Sequence, residues 1–470
     1  MVEAVVVGAG PNGLAAAIEI ARAGHSVLVV EAKEKIGGGA RTEQLTLPGF
    51  HHDVCSAIHP LGILSPFLAS VPLEEHGVEW INPPLALAHP FDDGTAAALE
   101  SGLEATARRL EPDAAEWTRL FAPFADAPAL FSEILKPLRL PAHPLMLARF
   151  GFQALQSAER LVGRFRGEHA KALFAGCAAH AMMPLESAGT SSFGLVLAVA
   201  AHHVGWPFPR RGSVAIIEAL EKELRAHGGE IETGRPITSL RELPAEAKVV
   251  LFDVMPSRLA EIAGDALPAT YSSALRRYRH GPGVFKVDWA LSTPIPWKAK
   301  ECRCAGTVHL GADFAEIAAS ERAPHDRRVP ARPFVLVAQQ SLFDETRAPA
   351  GKHTGWAYCH VPNGSTVDMT EAIEAQVERF APGFRDTVLA RHTMNAGELE
   401  AHNAGFLGGD IGGGENGLFQ TLARPFLQWD PYATPNPRLY LASSATPPGG
   451  GVHGMCGYWA AKSALRRMFR

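Results

Sequence analysis

Gly8, Gly10 and Gly13, with Glu31 closing the next apolar run, are residue types at a spacing that suits a bound dinucleotide. Gly8 permits a tight turn, Gly10 has no side chain to hold a pyrophosphate off the backbone, and Gly13 lets a helix lie close on a strand. A carboxylate 18 positions after Gly13 can accept both hydroxyls of an adenosine ribose and disfavours a 2′-phosphate. Gly37, Gly38 and Gly39 follow as a second glycine loop with Arg41 behind it, able to bring further amides and a positive charge to the same phosphates. A plain nicotinamide site does not need that loop, whereas a longer dinucleotide lying across a sheet edge does. Histidines supply the remaining candidates for chemistry: His51, His52 and His59 in one loop with Asp53, and His453 near the end. Imidazole titrates near neutral pH, so His453, His59 and His52 are candidates for polarising or deprotonating a substrate. The loop histidines lack an i, i+4 pair or an alternation aimed at one point, so no metal site is expected.

The elements around these residues follow from hydrophobic periodicity. Ala4–Val7 reads as a strand, an Ala-rich helical pattern runs from the glycine turn to residue 23, and Val27–Val30 is a second strand. Residues 80–205 read as mostly helical. Within them 144–167 carries apolar residues on one face with Arg149, Arg160, Arg164 and Arg166 interspersed, a pattern that suits a membrane surface or packing on its own domain. The basic glycine turn PRRGS precedes a helix over Val214–Ala226, a strand pair is expected around Ile231 and Ile237, and 248–254 is a fully apolar buried strand. From Val284 onward apolar and polar residues alternate through VFKVDWAL, GTVHLG, RPFVLVAQQ and GWAYCHV, which predicts a half-buried, largely antiparallel sheet. A helix over Thr370–Phe380 follows. The glycines of 405–417 lack a strand before and a helix after them, so they do not count as a second nucleotide site. The chain closes as it opens: a strand over 439–442, glycines at 449–451, and a helix from about His453. Two helix starts from opposite ends of the chain can hold two ends of one extended cofactor, the first at its pyrophosphate and the last at a ring that takes up negative charge.

Length and composition bound the alternatives. At 470 residues, 47% hydrophobic and 20% charged, the sequence fits a globular enzyme of two or three domains. A net charge of −5 gives no electrostatic case for nucleic acid. A strand beginning within four residues of Met1 leaves no room for a secretion signal, and the longest apolar stretch, 193–201, is too short to span a bilayer. Six cysteines without a CxxC pair suit reduced thiols in a cytoplasmic setting and offer no redox-active disulfide.

VVVGAGPNGLAAA, the IGGGART loop, the PRRGS turn and the closing LYLASSATPPGGGVHGMCG together resemble the phytoene desaturase-like FAD-dependent oxidoreductases of the amine oxidase and glutathione reductase-type superfamily. The resemblance extends over nearly the whole chain to the branch of pyridine nucleotide-disulfide oxidoreductase domain-containing protein 2, through GVFKVDWAL, GTVHLG, FDETRAPAGKHT and NAGFLGGDIGGG. It implies an α/β fold: a discontinuous glutathione reductase-type FAD-binding Rossmann domain from 1–80, 206–280 and 425–470, and an α+β substrate domain from 81–205 and 281–424. That second domain would combine a helical part with a largely antiparallel sheet. It places Gly8, Gly10, Asn12 and Gly13 at the pyrophosphate, Glu31 with Ala32 at the adenosine ribose, and Gly38, Gly39, Arg41 and Thr42 at the phosphates and the flavin side. Ile237 would offer its backbone to the adenine, Ser444 would sit by the ribityl and phosphate part, and Gly451, Val452 and His453 beneath the isoalloxazine. Ser443 and Ser444 stand where the superfamily often has a glycine with an acid or small residue. The implied reaction passes hydride from a C–H bond of a small, apolar or polyene-like substrate to flavin N5, with His453 and His59 as catalytic candidates. Oxygen, a quinone or another carrier would reoxidise the flavin, and the protein would be cytoplasmic or peripheral on a membrane. Two alternatives stay open: a redox-neutral FAD-dependent isomerase or hydratase, and a flavin-free prenyl- or lipid-binding protein of the same fold.

Overall fold

The computed structural model describes residues 2–469. Its first sheet is wholly parallel and draws strands from three distant stretches of chain, in the order Leu439–Leu441, Val249–Phe252, Ala4–Val7, Val27–Val30, Glu230–Glu232. Ala4–Val7, Val27–Val30, Val249–Phe252 and Leu439–Leu441 are buried along their whole length, as near-continuous Val and Leu runs must be when helices cover both faces of a parallel sheet. Only one strand forms where a pair was expected. Glu230–Glu232 joins the sheet edge, while Ile237 lies outside any strand. Pro236 removes a ladder donor at that point, and the chain runs on as an extended segment past Glu31, whose carbonyl accepts from Arg235 N at 2.9 Å.

On one face of this sheet the opening helix Pro11–Arg22 lies against the closing helix Met455–Met468. Gly457 makes the approach possible, because a Cβ there would stand 1.7 Å from the carbonyl oxygen of Asn12. Gly457→Ala must push the two helices apart, and we expect a loss of about 1–3 kcal/mol, read from thermal unfolding.

The second sheet has the order Val388–Met394, Gly283–Leu291, His353–Val361, Val335–Ala338, Ala305–Leu310, Leu85–Pro90, Ala96–Leu99. All neighbours are antiparallel except Ala305–Leu310 with Leu85–Pro90. Two corrections follow. The stretch 80–205 is not helical from its start, since Leu85–Pro90 and Ala96–Leu99 are strands; AAAL and LALAHP are rich in residues that also favour helix, and tertiary pairing decides. Nor is the sheet half-buried, because Gly283–Leu291, Ala305–Leu310 and Val335–Ala338 are buried at every position. One face, with Phe285, Val287 and Trp289, packs with Ile373, Phe380 and Phe384. The other carries the alternating polar residues inward, where Lys286, Asp288, Thr307 and His309 are each 4% exposed or less.

Candidate functional site

A cavity of about 990 Å³ runs from the carboxyl ends of the parallel strands to the polar-bearing face of the second sheet. Gly8, Gly10, Asn12, Glu31, Ala32, Gly38, Gly39, Arg41, Ile237, Ser444, Gly451, Val452, His453 and His59 all line it; Gly13 and Thr42 do not.

At its nucleotide end Glu31 is held at the tip of its strand by Ala9 N at 2.8 Å and Lys33 N at 2.9 Å. Gly10 and Gly38 face each other so closely that a Cβ on Gly38 would stand 3.0 Å from the Cα of Gly10, leaving a slot walled by backbone alone. Gly13 sits behind this slot, where a Cβ would meet the Gly8 carbonyl oxygen at 2.0 Å. Arg41 spends its guanidinium on loop carbonyls, Lys35 O at 2.7 Å and the longer Ile36 O and His402 O at 3.4 Å, with Glu31 at 3.7 Å, and so braces the second glycine loop. Thr42 turns away from the cavity, donating to Asp53 Oδ1 at 2.7 Å and accepting from Val214 N at 3.2 Å.

Sequence reasoning missed Asp253. It follows the strand Val249–Phe252, which pairs with Ala4–Val7, and its Oδ2 accepts from Gly13 N at 2.9 Å inside the opening glycine turn. Burial pushes this carboxyl up to about 7, with the neighbouring Glu31 charge adding to the shift and the Gly13 amide opposing it. The available signal was the parallel pairing of 249–252 with the opening strand, which puts the next residue beside the turn.

At the far end the loop 443–454 folds against the glycines of 405–417. A Cβ on Gly450 would meet Gly412 O at 2.7 Å, and buried Arg424 donates to the carbonyls of Gly413 and Ser444 at 3.2 and 3.1 Å. The glycine run is thus a wall of the same cavity, to which Gly405 and Gly412 contribute. His453 precedes the closing helix, and its Nδ1 accepts from Met455 N at 3.0 Å, which fixes the neutral tautomer with hydrogen on Nε2. Burial lowers its pKa to about 4. His59 Nε2 donates to Ser213 Oγ at 2.8 Å, because that hydroxyl itself donates to Ser56 O at 2.6 Å; burial lowers His59 to about 4 as well. Both rings are therefore neutral, and their hydrogen bonds equip them to position groups better than to accept a proton. His52 lies deeper, bonded to Thr46 Oγ1 at 2.8 Å and 3.6 Å from Asp288.

The same cavity has a chamber walled by Met182, Val196, Leu197, Leu336, Trp356 and Tyr358. Under this apolar skin lie charges. Lys286 pairs closely with Asp288, and burial pushes the Asp288 carboxyl up while Lys286, His392 and His52 outweigh it and leave the pKa lowered. His180, a second group missed from sequence, stands in the chamber wall with its Nε2 3.2 Å from Nε2 of His309. Burial, and then the His360 charge, lower His180 to about 3. Behind them His360 Nδ1 meets Glu321 Oε2 at 2.7 Å. Among the described residues no group of three or more His, Cys, Asp or Glu side chains is arranged to hold a metal ion.

A backbone slot between two glycine loops, a carboxylate at the second strand's tip, a closing turn at the far end and one continuous cavity joining them fit an extended dinucleotide. Comparison with known proteins agrees with the geometry. Residues 6–67 match the NAD(P)-binding Rossmann-like domain. The chain is 26% identical to pyridine nucleotide-disulfide oxidoreductase domain-containing protein 2 of Rattus norvegicus, over 99% of this chain and 93% of that one. It is 25% identical to phytoene dehydrogenase of Streptomyces griseus over 82% of this chain and 77% of that one. Among solved structures it shares its fold with an oxidoreductase from Methanosarcina mazei, with a TM-score of 0.65 at 17% identity, covering 98% of this chain and 99% of that one.

Proposed function

Because the chain belongs to the phytoene desaturase-like FAD-dependent oxidoreductases, on the branch of pyridine nucleotide-disulfide oxidoreductase domain-containing protein 2, we propose that it binds FAD and dehydrogenates an apolar, polyene-like substrate at a C–H bond. The observation that carries this reading is the continuity of the cavity, from the Glu31 carboxylate past the His453 turn into a chamber walled mainly by apolar side chains. FAD, when bound, supplies a two-electron acceptor for hydride. Glu31 would hold the adenosine ribose, the facing Gly10 and Gly38 backbones would hold the pyrophosphate, and the start of the closing helix would offer its positive end to the ring. Neutral His453 and His59 would shape the floor beside such a ring. Trp356, Tyr358 and Leu336 would exclude water and hold an apolar substrate in the cavity. His180, held neutral by burial beside His309, would position the substrate at the chamber wall.

The test is anaerobic mixing of the yellow protein with candidate polyenes and unsaturated apolar compounds. Bleaching of the flavin absorbance with formation of a desaturated product is expected. Turnover without bleaching assigns a redox-neutral reaction instead, and a colourless protein that cannot be reconstituted with FAD assigns a flavin-free binding role. Gly10→Ala places a Cβ in the pyrophosphate slot, 2.7 Å from Asp253 Oδ2. It is expected to weaken FAD binding about tenfold or more, measured by flavin fluorescence titration.

A further inference from the structure

Two imidazoles meet in the chamber wall, and the hydrogen bond between them decides what the chamber presents to a ligand. His309, on the strand Ala305–Leu310, is fully buried, and its Nε2 stands 3.2 Å from Nε2 of half-buried His180 in the turn Ala179–Ala181. Burial holds both rings neutral, so one nitrogen of the pair donates and the other accepts. Among the described residues His309 Nδ1 has no partner. Gly176, on the helix Glu168–Ala178, packs over it so closely that a Cβ there would stand 2.6 Å from that nitrogen. The glycine hydrogen along that direction is a weak donor, which suits a lone pair on Nδ1 and opposes an N–H. Orphaned buried N–H groups are also rarer than orphaned acceptors. His309 therefore carries its hydrogen on Nε2 and donates it to His180 Nε2. His180 must then carry its own on Nδ1, which has no partner among the described residues and belongs to a ring that lines the cavity.

More unpaired polar atoms stand on the same face of the sheet. Thr307 is two residues before His309 on its strand and so shares its side; it is 4% exposed, and its Oγ1 has no partner among the described residues. Ala338 pairs with Thr307 on one side and with Trp356 on the other. Trp356 is 7% exposed, and its Nε1 likewise has no partner among the described residues. Both side chains line the cavity. Each orphaned polar atom in a buried wall costs the folded chain until a partner fills it.

The chemistry of these atoms selects the partner. The two ring N–H groups can only donate, the hydroxyl can donate, and none of the three side chains is charged. Lys286, whose Nζ lies 6.0 Å from the Trp356 ring, is already matched by Asp288. A carboxylate entering here would be buried without a counter-ion, and a pure hydrocarbon would leave every donor unpaired. A carbonyl oxygen is neutral and accepts more than one hydrogen bond. Resting on the reading of the chamber as a site for an apolar substrate, we propose that this substrate carries a neutral carbonyl group, selected by the Nδ1–H of His180 with Thr307 and Trp356 as the neighbouring polar contacts.

The test reads binding and the state of the carbonyl rather than turnover. The full-length, flavin-loaded protein is titrated anaerobically with the ketone β-ionone, with the hydrocarbon of the same skeleton and with the carboxylate β-ionylideneacetate. The ketone is expected to bind about tenfold or more tightly than either of the others. Infrared difference spectra with a carbon-13 label at the carbonyl should show its stretch lowered from the position it has in hexane. His180→Phe is expected to move the stretch back toward the hexane position and to weaken the ketone about tenfold, with the hydrocarbon changed by less than about twofold. His180→Asn, whose amide can place an N–H where Nδ1 stood, should keep most of the lowered stretch. Should His180→Phe fail to fold, the wild-type spectrum and Trp356→Phe, which loses an N–H and keeps an aromatic ring, decide the matter. Equal affinity for ketone and hydrocarbon, tightest binding of the carboxylate, binding of none of the three, a wild-type stretch at the hexane position, or equal weakening of ketone and hydrocarbon by His180→Phe overturns the proposal. The two readings fail separately. A lowered stretch in a protein whose flavin no compound bleaches keeps this subsite and ends the dehydrogenase reading, whereas bleaching by hydrocarbons as readily as by ketones keeps that reading and ends this one.

Discussion

Arg347→Met is expected to cost about 3–5 kcal/mol of folding stability, because it strands two buried carboxylates. Arg347 is 1% exposed, with Nη2 2.8 Å from Asp53 Oδ2 and Nε 3.0 Å from Asp344 Oδ2. Its cationic plane is the counter-ion for both. Burial pushes the Asp344 carboxyl up, and the Thr346 hydroxyl, the Arg211 amide and Arg347 together more than reverse that. Asp53 in turn anchors the site by accepting from Thr42 Oγ1 at 2.7 Å and from Ser213 N at 2.8 Å, and Ser213 Oγ accepts from His59. Losing the guanidinium therefore leaves charge without compensation and frees the strut behind His59. Urea unfolding followed by circular dichroism measures the loss. The triple change Arg347→Met/Asp53→Asn/Asp344→Asn should recover much of it, since removing the whole buried set is far cheaper than breaking it. A variant Arg347→Met within about 1 kcal/mol of wild type would show that water enters and solvates these carboxylates.

Much of the nucleotide end could be read from sequence because its signals are local. The Ala4–Val7 and Val27–Val30 strands have the bounds that their apolar runs predict, since a buried parallel strand needs an unbroken run and glycine turns end it. Thr370–Phe380 likewise declares itself by its period. The substrate end was harder for a physical reason. Lys286, Asp288 and His309 alternate with apolar residues as if facing water, yet they are buried: His309 lies against Gly176 and His180 of the helical segment, and Asp288 beside His52 and His392. Alternation gives the two faces of a strand; it does not say what covers the second. His180 and Asp253 were missed for a related reason, because each gains its meaning from a partner far away in sequence: His309 for the first, Gly13 for the second. The buried strand expected over 248–254 forms as Val249–Phe252 and pairs with Ala4–Val7, so the chain after Pro209 returns to the opening sheet. Ile237, lacking an apolar run of its own, gave no comparable local evidence for a strand.

That same pairing sets up the second large effect. Asp253→Asn is expected to tighten FAD binding at alkaline pH and to remove most of its pH dependence. The carboxyl lies in the opening turn with Oδ2 on Gly13 N, and a Cβ on Gly10 would meet that oxygen at 2.7 Å, so a pyrophosphate entering the slot comes against it. The titratable groups facing it are Glu31, whose charge raises it, and Cys456, itself held up to about 12 by burial. Without the dinucleotide the carboxyl titrates at about 7. Phosphate charges bound there would raise it further, so the bound form would keep the proton over a range in which the free form has lost it. Below pH 7 both forms are protonated and affinity is flat. Above pH 7 binding must take up a proton, and affinity falls by up to about tenfold per pH unit. The stability of the free protein has the same origin and the opposite variable. A carboxyl raised from 3.8 to about 7 on folding costs stability progressively as pH climbs between those values, and the cost is constant above them. Asparagine keeps an acceptor for Gly13 N and cannot ionise, so Asp253→Asn should bind FAD tens of times more tightly than wild type at about pH 9 and equally at about pH 6. Titration calorimetry in buffers of different ionisation enthalpy should find about one proton taken up per FAD by the wild type above neutral pH and none by the variant. An unchanged pH slope in Asp253→Asn would move the linkage to another group and leave Asp253 as a plain cap on the Gly13 amide.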